Sequence, residues 1–171
     1  DPDAGRRRQS LAQCAGYASV KCAAKVEESD DLTPGSCRRG VMISPRGIPL
    51  PLVLREGSDP NAPVDLVFGA AGKGSPFASE RFESAQTAVT TDLPGVGELA
   101  WEAPEPLVAG TRLHDTARAC LWLGYTLAGE WAECIAAQAR WAVTRFPGRT
   151  LRLVADREGA LAVLLAAALD P

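Results

Sequence analysis

Gly40-Val41-Met42-Ile43-Ser44-Pro45-Arg46-Gly47-Ile48-Pro49-Leu50-Pro51-Leu52-Val53-Leu54 is the stretch on which the reading of the fold depends. Pro45 and Gly47 suit the second and last positions of a tight turn. Apolar runs flank them on both sides, so the segment predicts a β-hairpin. Pro49 and Pro51 stand two apart in the second arm and turn their donor-less nitrogens to the same side. That side lacks two ladder donors, and the arm is expected to be an edge strand.

Working outward, Gly57 to Pro63 reads as a loop and Val64 to Phe68 as a short strand. Gly69 to Ser79 reads as a longer glycine-bearing loop, and Gln86 to Thr91 as another strand. Leu99 to Trp101 extends the strand region, and Ala103 to Gly110, with Pro104 and Pro106, is an extended connector. On the amino-terminal side, Leu11, Cys14, Ala15, Ala18, Cys22 and Val26 recur at three- and four-residue steps, the spacing of one helix face. From Thr111 the pattern is helical. A helix to about Ala128 precedes a second from Glu130 to Phe146, which Pro147-Gly148 ends. Thr150 to Ala155 alternates like a strand, and Asp156 is placed to cap a last helix, Arg157 to Leu169.

These elements predict an α+β fold. Its sheet is largely antiparallel, with strands mainly in residues 40–102 and one more near 150–155. Helices near 9–28, 112–128, 130–146 and 157–169 cover it. Residues 1–9, with Arg6, Arg7 and Arg8, read as a flexible basic arm, and residues 10–171 as a single globular domain.

Composition narrows the function classes. The 171 residues are 46% hydrophobic and 23% charged, the balance of a chain with a real core. Net charge is −3, so the surplus of cations that phosphate-backbone binding demands is missing and no nucleic-acid partner is expected. The apolar run Ala160 to Leu169 would form a helix of about 15 Å, half of a bilayer core, and no transmembrane segment is expected. The start at Asp1-Pro2, with neither a leader pattern nor Met, reads as a mature or trimmed form.

Five cysteines, an odd number, are too few for a disulfide scaffold. A turn near Ala128-Gly129 would bring Cys120 and Cys134 nearly opposite each other on two helices, so they are either a disulfide or two buried thiols. Cys22 and Cys37 are a second candidate pair, if the chain folds back at Pro34-Gly35. With no C-x-x-C and a single histidine, no metal site is expected.

His114, beside Asp115, is the one candidate catalytic base, against the plainer reading of an exposed helix-start residue. The loop Gly69-Ala70-Ala71-Gly72-Lys73-Gly74-Ser75 follows a strand, and Gly72, Lys73 and Gly74 are the candidate anion binders. Only two residues separate its first Gly from Gly-Lys, where the P-loop has four, and Pro76 follows. The acidic residues show no spacing that selects an acid–base pair. No cofactor is expected.

No reactive cluster stands out, and the terminal helix is apolar around most of its circumference. The leading expectation is therefore a non-catalytic binding or protein-interaction module. Its partner would be another protein met through that helix, and an extracytoplasmic location is slightly favoured. The alternatives are a small cysteine- or carboxylate-dependent enzyme using His114, and a subunit of a larger assembly.

Overall fold

The computed structural model describes residues 3–18, 25–33, 37–100 and 112–170. The hairpin forms as the sequence predicts. β2 (Cys37–Ile43) and β3 (Pro49–Arg55) pair antiparallel, with Val41 opposite Pro51 and Ile43 opposite Pro49. Ser44 closes the turn: its carbonyl accepts the Gly47 amide and its hydroxyl accepts the Ile48 amide, each at 2.9 Å.

β3 is not an edge strand. Leu52 to Arg55 pair antiparallel with β5 (Thr87–Thr91). The prolines lie just beyond the end of that ladder, where no partner strand asks for their amides. At this point the Pro51 carbonyl, on the same side as its nitrogen, accepts the Asp92 amide. The edge on this side of the sheet is β1 (Lys25–Thr33), which pairs with β2.

The expectation of a largely antiparallel α+β sheet is corrected. The sheet has six strands in the order β1-β2-β3-β5-β4-β6. Its first four strands run antiparallel. Then β4 (Val64–Phe68) runs parallel to β5, and β6 (Leu151–Ala155) runs parallel to β4. This is a mixed sheet of α/β type.

The error traces to one helix. α2 (Pro76–Ser84) lies in what reads as a loop, and it carries the chain from β4 to β5 as a crossover. Ser75 caps it by accepting the Ala78 amide at 3.2 Å, and Pro76 takes the first helical turn. Pro counts against a helix in its interior but favours its first position, where the missing N–H has no acceptor anyway.

Two more helix ranges shift. α1 spans Ala4–Ala15 rather than 9–28, and Gly16 ends it in a left-handed conformation with φ 63°. A Cβ at Gly16 would lie 2.6 Å from the Tyr125 Cα, so glycine is required there. The stripe through Cys22 and Val26 thus runs past the helix end, and Val26 belongs to β1. The expected helix near 112–128 is α3 (Arg112–Trp122), followed by a turn. α4 (Leu127–Arg145) and α5 (Arg157–Leu169) lie close to their expected places. Leu99 sits in a 3-10 turn, not a strand, while Trp101 and the connector 103–110 lie outside the described residues.

The core follows from this topology. Leu50, Leu52 and Leu54 alternate inward from β3. Every residue of β4 and β5 is buried, as expected of central strands covered on both faces. Trp131 and Ile135 of α4 pack into the same cluster. The Trp131 indole donates to the Pro94 carbonyl at 2.9 Å, which satisfies its buried N–H. β6 is less covered, and α5 leaves Leu161 and Leu164 more than half exposed. The helix that is apolar around most of its circumference is thus covered on one side only within this chain, through Gly159, Ala162 and Ala166. Among the described residues no helix is long and apolar enough to cross a membrane.

Candidate functional site

Parallel sheets gather their sites at the carboxyl ends of the strands, where the loops into the helices begin. Here β4 opens into the loop 69–75 and β6 into the turn 155–159. Between them lies a cavity of 380 Å³. Ala70, Ala71, Ser75, Pro76 and Phe77 form one wall, and Asp156, Arg157 and Glu158 the other.

The turn Ala155-Asp156-Arg157-Glu158-Gly159 is unusual in its backbone. Arg157 has φ 46°, the only positive value at a non-glycine among the described residues. A long side chain is disfavoured there by about 1–2 kcal/mol. Two residues on, a Cβ at Gly159 would stand 3.1 Å from the Phe68 carbonyl oxygen, so α5 starts hard against the end of β4. Asp156 occupies the N-cap position but makes no side-chain cap. Its Oδ1 accepts the Ala70 amide instead, at 2.8 Å, and ties the two walls together.

A strand, a sharp turn with a strained tip residue, and a helix packed closely behind it make the geometry of a nucleophile elbow. That motif reads G-x-S-x-G, and its serine stands at the tip. Here Ala155 and Gly159 take the two small positions, and Arg157 takes the serine's place. A guanidinium has no nucleophilic oxygen and stays charged, but its N–H groups fit a carboxylate or carbonyl oxygen. The first amides of α5 have no intrahelical acceptor, which adds donors on the same wall.

The far wall is held from behind. Asp92, just after β5, is 1% exposed and forms an ion pair with Lys73, which also reaches Glu98. The Asp92 carboxylate accepts the backbone amides of Lys73 at 2.6 Å and Glu98 at 2.9 Å. The Lys73 ammonium therefore serves the loop's own structure, while Gly74 faces open space. Gly72 has φ 92° and lies against Gly97 and Asp92. Of the candidate anion loop, it is Ala70, Ala71 and Ser75 that line the cavity, not Gly72, Lys73 or Gly74.

His114 is exposed on α3 and Asp115 is buried beside it. His114 borders a second, apolar groove of 330 Å³, together with Leu113, Ala117, Trp131, Leu161 and Glu158. Glu158 belongs to both cavities, so the groove adjoins the elbow.

Cys120 and Cys134 are both buried as thiols, and burial pushes both up from the usual thiol range. Cys134 Sγ lies 4.0 Å from a carboxylate oxygen of Glu130. Cys22 lies outside the described residues, and with it the Cys22–Cys37 pairing. No group of three or more metal-ligating side chains is found among the described residues.

A second polar cluster joins the hairpin tip to α4. Arg46 forms ion pairs with Glu130 and, at 2.7 Å, with Glu133, and both carboxylates are almost fully buried. Its guanidinium stacks 4.1 Å above the Tyr125 ring. Burial pushes Glu130 up to about 7 against the pull of Arg46.

No family model matches the chain, and no curated protein does. Solved structures do. A crystal structure from Bacteroides fragilis, assigned as an acetyl xylan esterase, superposes with a TM-score of 0.76 at 12% identity, covering 98% of this chain and 50% of that one. Acetyl xylan esterase from Paenibacillus sp. R4 follows with TM-score 0.59, 16% identity, and 99% and 56% coverage. A cold-adapted esterase from an Arctic intertidal metagenomic library gives TM-score 0.57, 16% identity, and 84% and 59% coverage. The chain spans between half and three-fifths of the length of these proteins. The expectation of a non-catalytic binding or protein-interaction module is thereby corrected: the solved structures that share this fold are esterases. At such identities the likeness carries the fold alone, and it extends over most of this chain.

Proposed function

We propose that the chain builds the elbow-bearing half of an esterase-type α/β-hydrolase domain, and that the cavity between Ala70–Phe77 and Asp156–Glu158 receives the acyl group of a carboxylic ester. The observation that carries this reading is the positive-φ turn at Arg157, set between a parallel strand and a helix and facing the loop after the neighbouring strand. The names of the structural neighbours point to O-acetylated sugars as the substrate class.

The chemistry has to follow the residues present. Arg157 cannot form an acyl-enzyme, so the ester is held rather than attacked by the elbow side chain. The guanidinium and the first amides of α5 carry the charge that gathers on the carbonyl oxygen. Water is the nucleophile. In this fold the acid and the histidine of the triad follow the elbow in chain order, so the base comes from the other half of the domain. That half docks on the uncovered edge of β6 and on Leu161 and Leu164 of α5, which is the partner surface of the C-terminal helix.

The test is acetate release from acetylated xylo-oligosaccharides by the intact protein, together with labelling by a fluorophosphonate. The expected result is turnover that Arg157→Ala lowers at least tenfold, with no phosphonyl adduct anywhere in residues 1–171. An adduct on this stretch, or turnover indifferent to Arg157, contradicts the reading.

A further inference from the structure

Asp92 does not line the cavity, yet it holds one of its walls. Its carboxylate is 1% exposed and sits between two glycines with positive φ, Gly72 at 92° and Gly97 at 58°. A Cβ at Gly97 would fall 2.2 Å from Asp92 Oδ1, and one at Gly72 would fall 2.7 Å from it. Nothing larger than hydrogen fits on either side, so the two loops close directly around the carboxylate.

Three donors converge on it: the Lys73 amide, the Glu98 amide and the Lys73 ammonium. Buried carboxylates are stable only when paired and fully hydrogen-bonded, and this one is. Two of the three donors belong to Lys73, in the middle of the loop whose Ala70, Ala71 and Ser75 line the elbow cavity. The loop then closes on itself, with the Gly72 amide donating to the Gly69 carbonyl at 2.9 Å and the Ser75 amide to the Gly72 carbonyl at 3.1 Å.

We propose that Asp92 is the positioning residue of the elbow cavity: by pinning Lys73 it fixes the wall from Ala70 to Ser75 at the distance an acyl group requires. Its effect on binding rests on the acyl-site reading above; the pinning itself does not. Asn in place of Asp92 keeps the shape but replaces one acceptor by an NH₂ that faces a donor, so one amide loses its partner. Lys73→Met removes only the ammonium and leaves both backbone bonds.

The experiment compares the intact protein with its Asp92→Asn and Lys73→Met variants by hydrogen exchange and by binding of acetate. Exchange in the peptide covering 69–75 is expected to rise about tenfold in Asp92→Asn and about threefold in Lys73→Met, while peptides from α4 keep their rates. Acetate affinity should fall in the same order. Unchanged exchange in 69–75, or acceleration spread evenly over the chain, overturns the pinning. Faster exchange with unchanged acetate affinity overturns the positioning role while leaving the acyl site standing. If the parent protein binds no acetate, the acyl-site reading fails, and acceleration confined to 69–75 still upholds the pinning. Should Asp92→Asn fail to fold, Lys73→Met carries the same comparison.

Discussion

Glu130 and Glu133 share one cation, Arg46, in a place that water barely reaches. Burial, helped by the neighbouring Glu133 carboxylate, outweighs the pull of Arg46, and Glu130 holds its proton up to about pH 7. The sign follows. Its pKa is raised on folding, from 4.5 to about 7. The folded state therefore binds this proton more tightly, and stability from it is complete below the unfolded value and lost as pH rises through about 7. The loss is on the order of 3 kcal/mol. Denaturant melts at pH 5 and pH 8 should show the parent losing stability with rising pH, and Glu130→Gln should flatten that slope. A protein more stable at pH 8 than at pH 5, with Glu130→Gln unchanged in slope, contradicts the assignment.

Arg157 makes a second residue-scale prediction. Glycine adopts φ 46° freely and arginine does not, so Arg157→Gly should raise stability by about 1 kcal/mol while weakening acetate binding. A variant that gains stability but loses the ligand is the mark of strain kept at a functional site.

At the scale of elements, much was legible. The hairpin, β4, β5, β6 and α4 announce themselves by period and by Pro-Gly stops, because each of these signals is local. What failed was the capping chemistry. Ser75-Pro76 reads as a loop because proline breaks helix interiors, yet the pair is a helix start. Missing α2 removes the crossover, and without a crossover β4 and β5 can only be read as antiparallel. Gly16 was the unread stop of α1. The prolines of β3 were read correctly as donor-less, but the partner strand simply ends before it reaches them. Removing the Ser75 cap by Ser75→Ala should cost about 1 kcal/mol, read as a lower melting temperature, because one amide at the start of α2 loses its acceptor.

The site was less legible than the fold for the same reason. Asp156 reads as a cap, and indeed stands at that position, but its carboxylate turns to Ala70, 86 residues away in sequence. The available signal was the string Ala155-Asp156-Arg157-Glu158-Gly159 between an alternating strand and a helix. With arginine at its centre it matches no catalytic pattern. Lys73 drew notice as a cation in a glycine loop, and only the fold reveals that Asp92 has claimed it.

For the whole molecule, the uneven burial of the sheet is the main fact. β4 and β5 are sealed, whereas β6, their parallel neighbour, is half open, and α5 turns Leu161 and Leu164 outward. Among the described residues no strand pairs with the outer side of β6, and apolar side chains beside such an edge invite association. The protein should self-associate in sedimentation experiments, and Leu161→Glu with Leu164→Glu should reduce this. A monomeric protein would mean that this edge needs no cover.

The proposed acyl site is the cavity beside Arg157. Amide NMR of the isotopically labelled intact protein during an acetate titration tests it most directly. Saturable shifts are expected, largest at Ala71, Arg157 and Glu158 and absent from β1 and β2, and they should vanish in Arg157→Ala. Shifts that never saturate, or that centre on another face of the sheet, would contradict it.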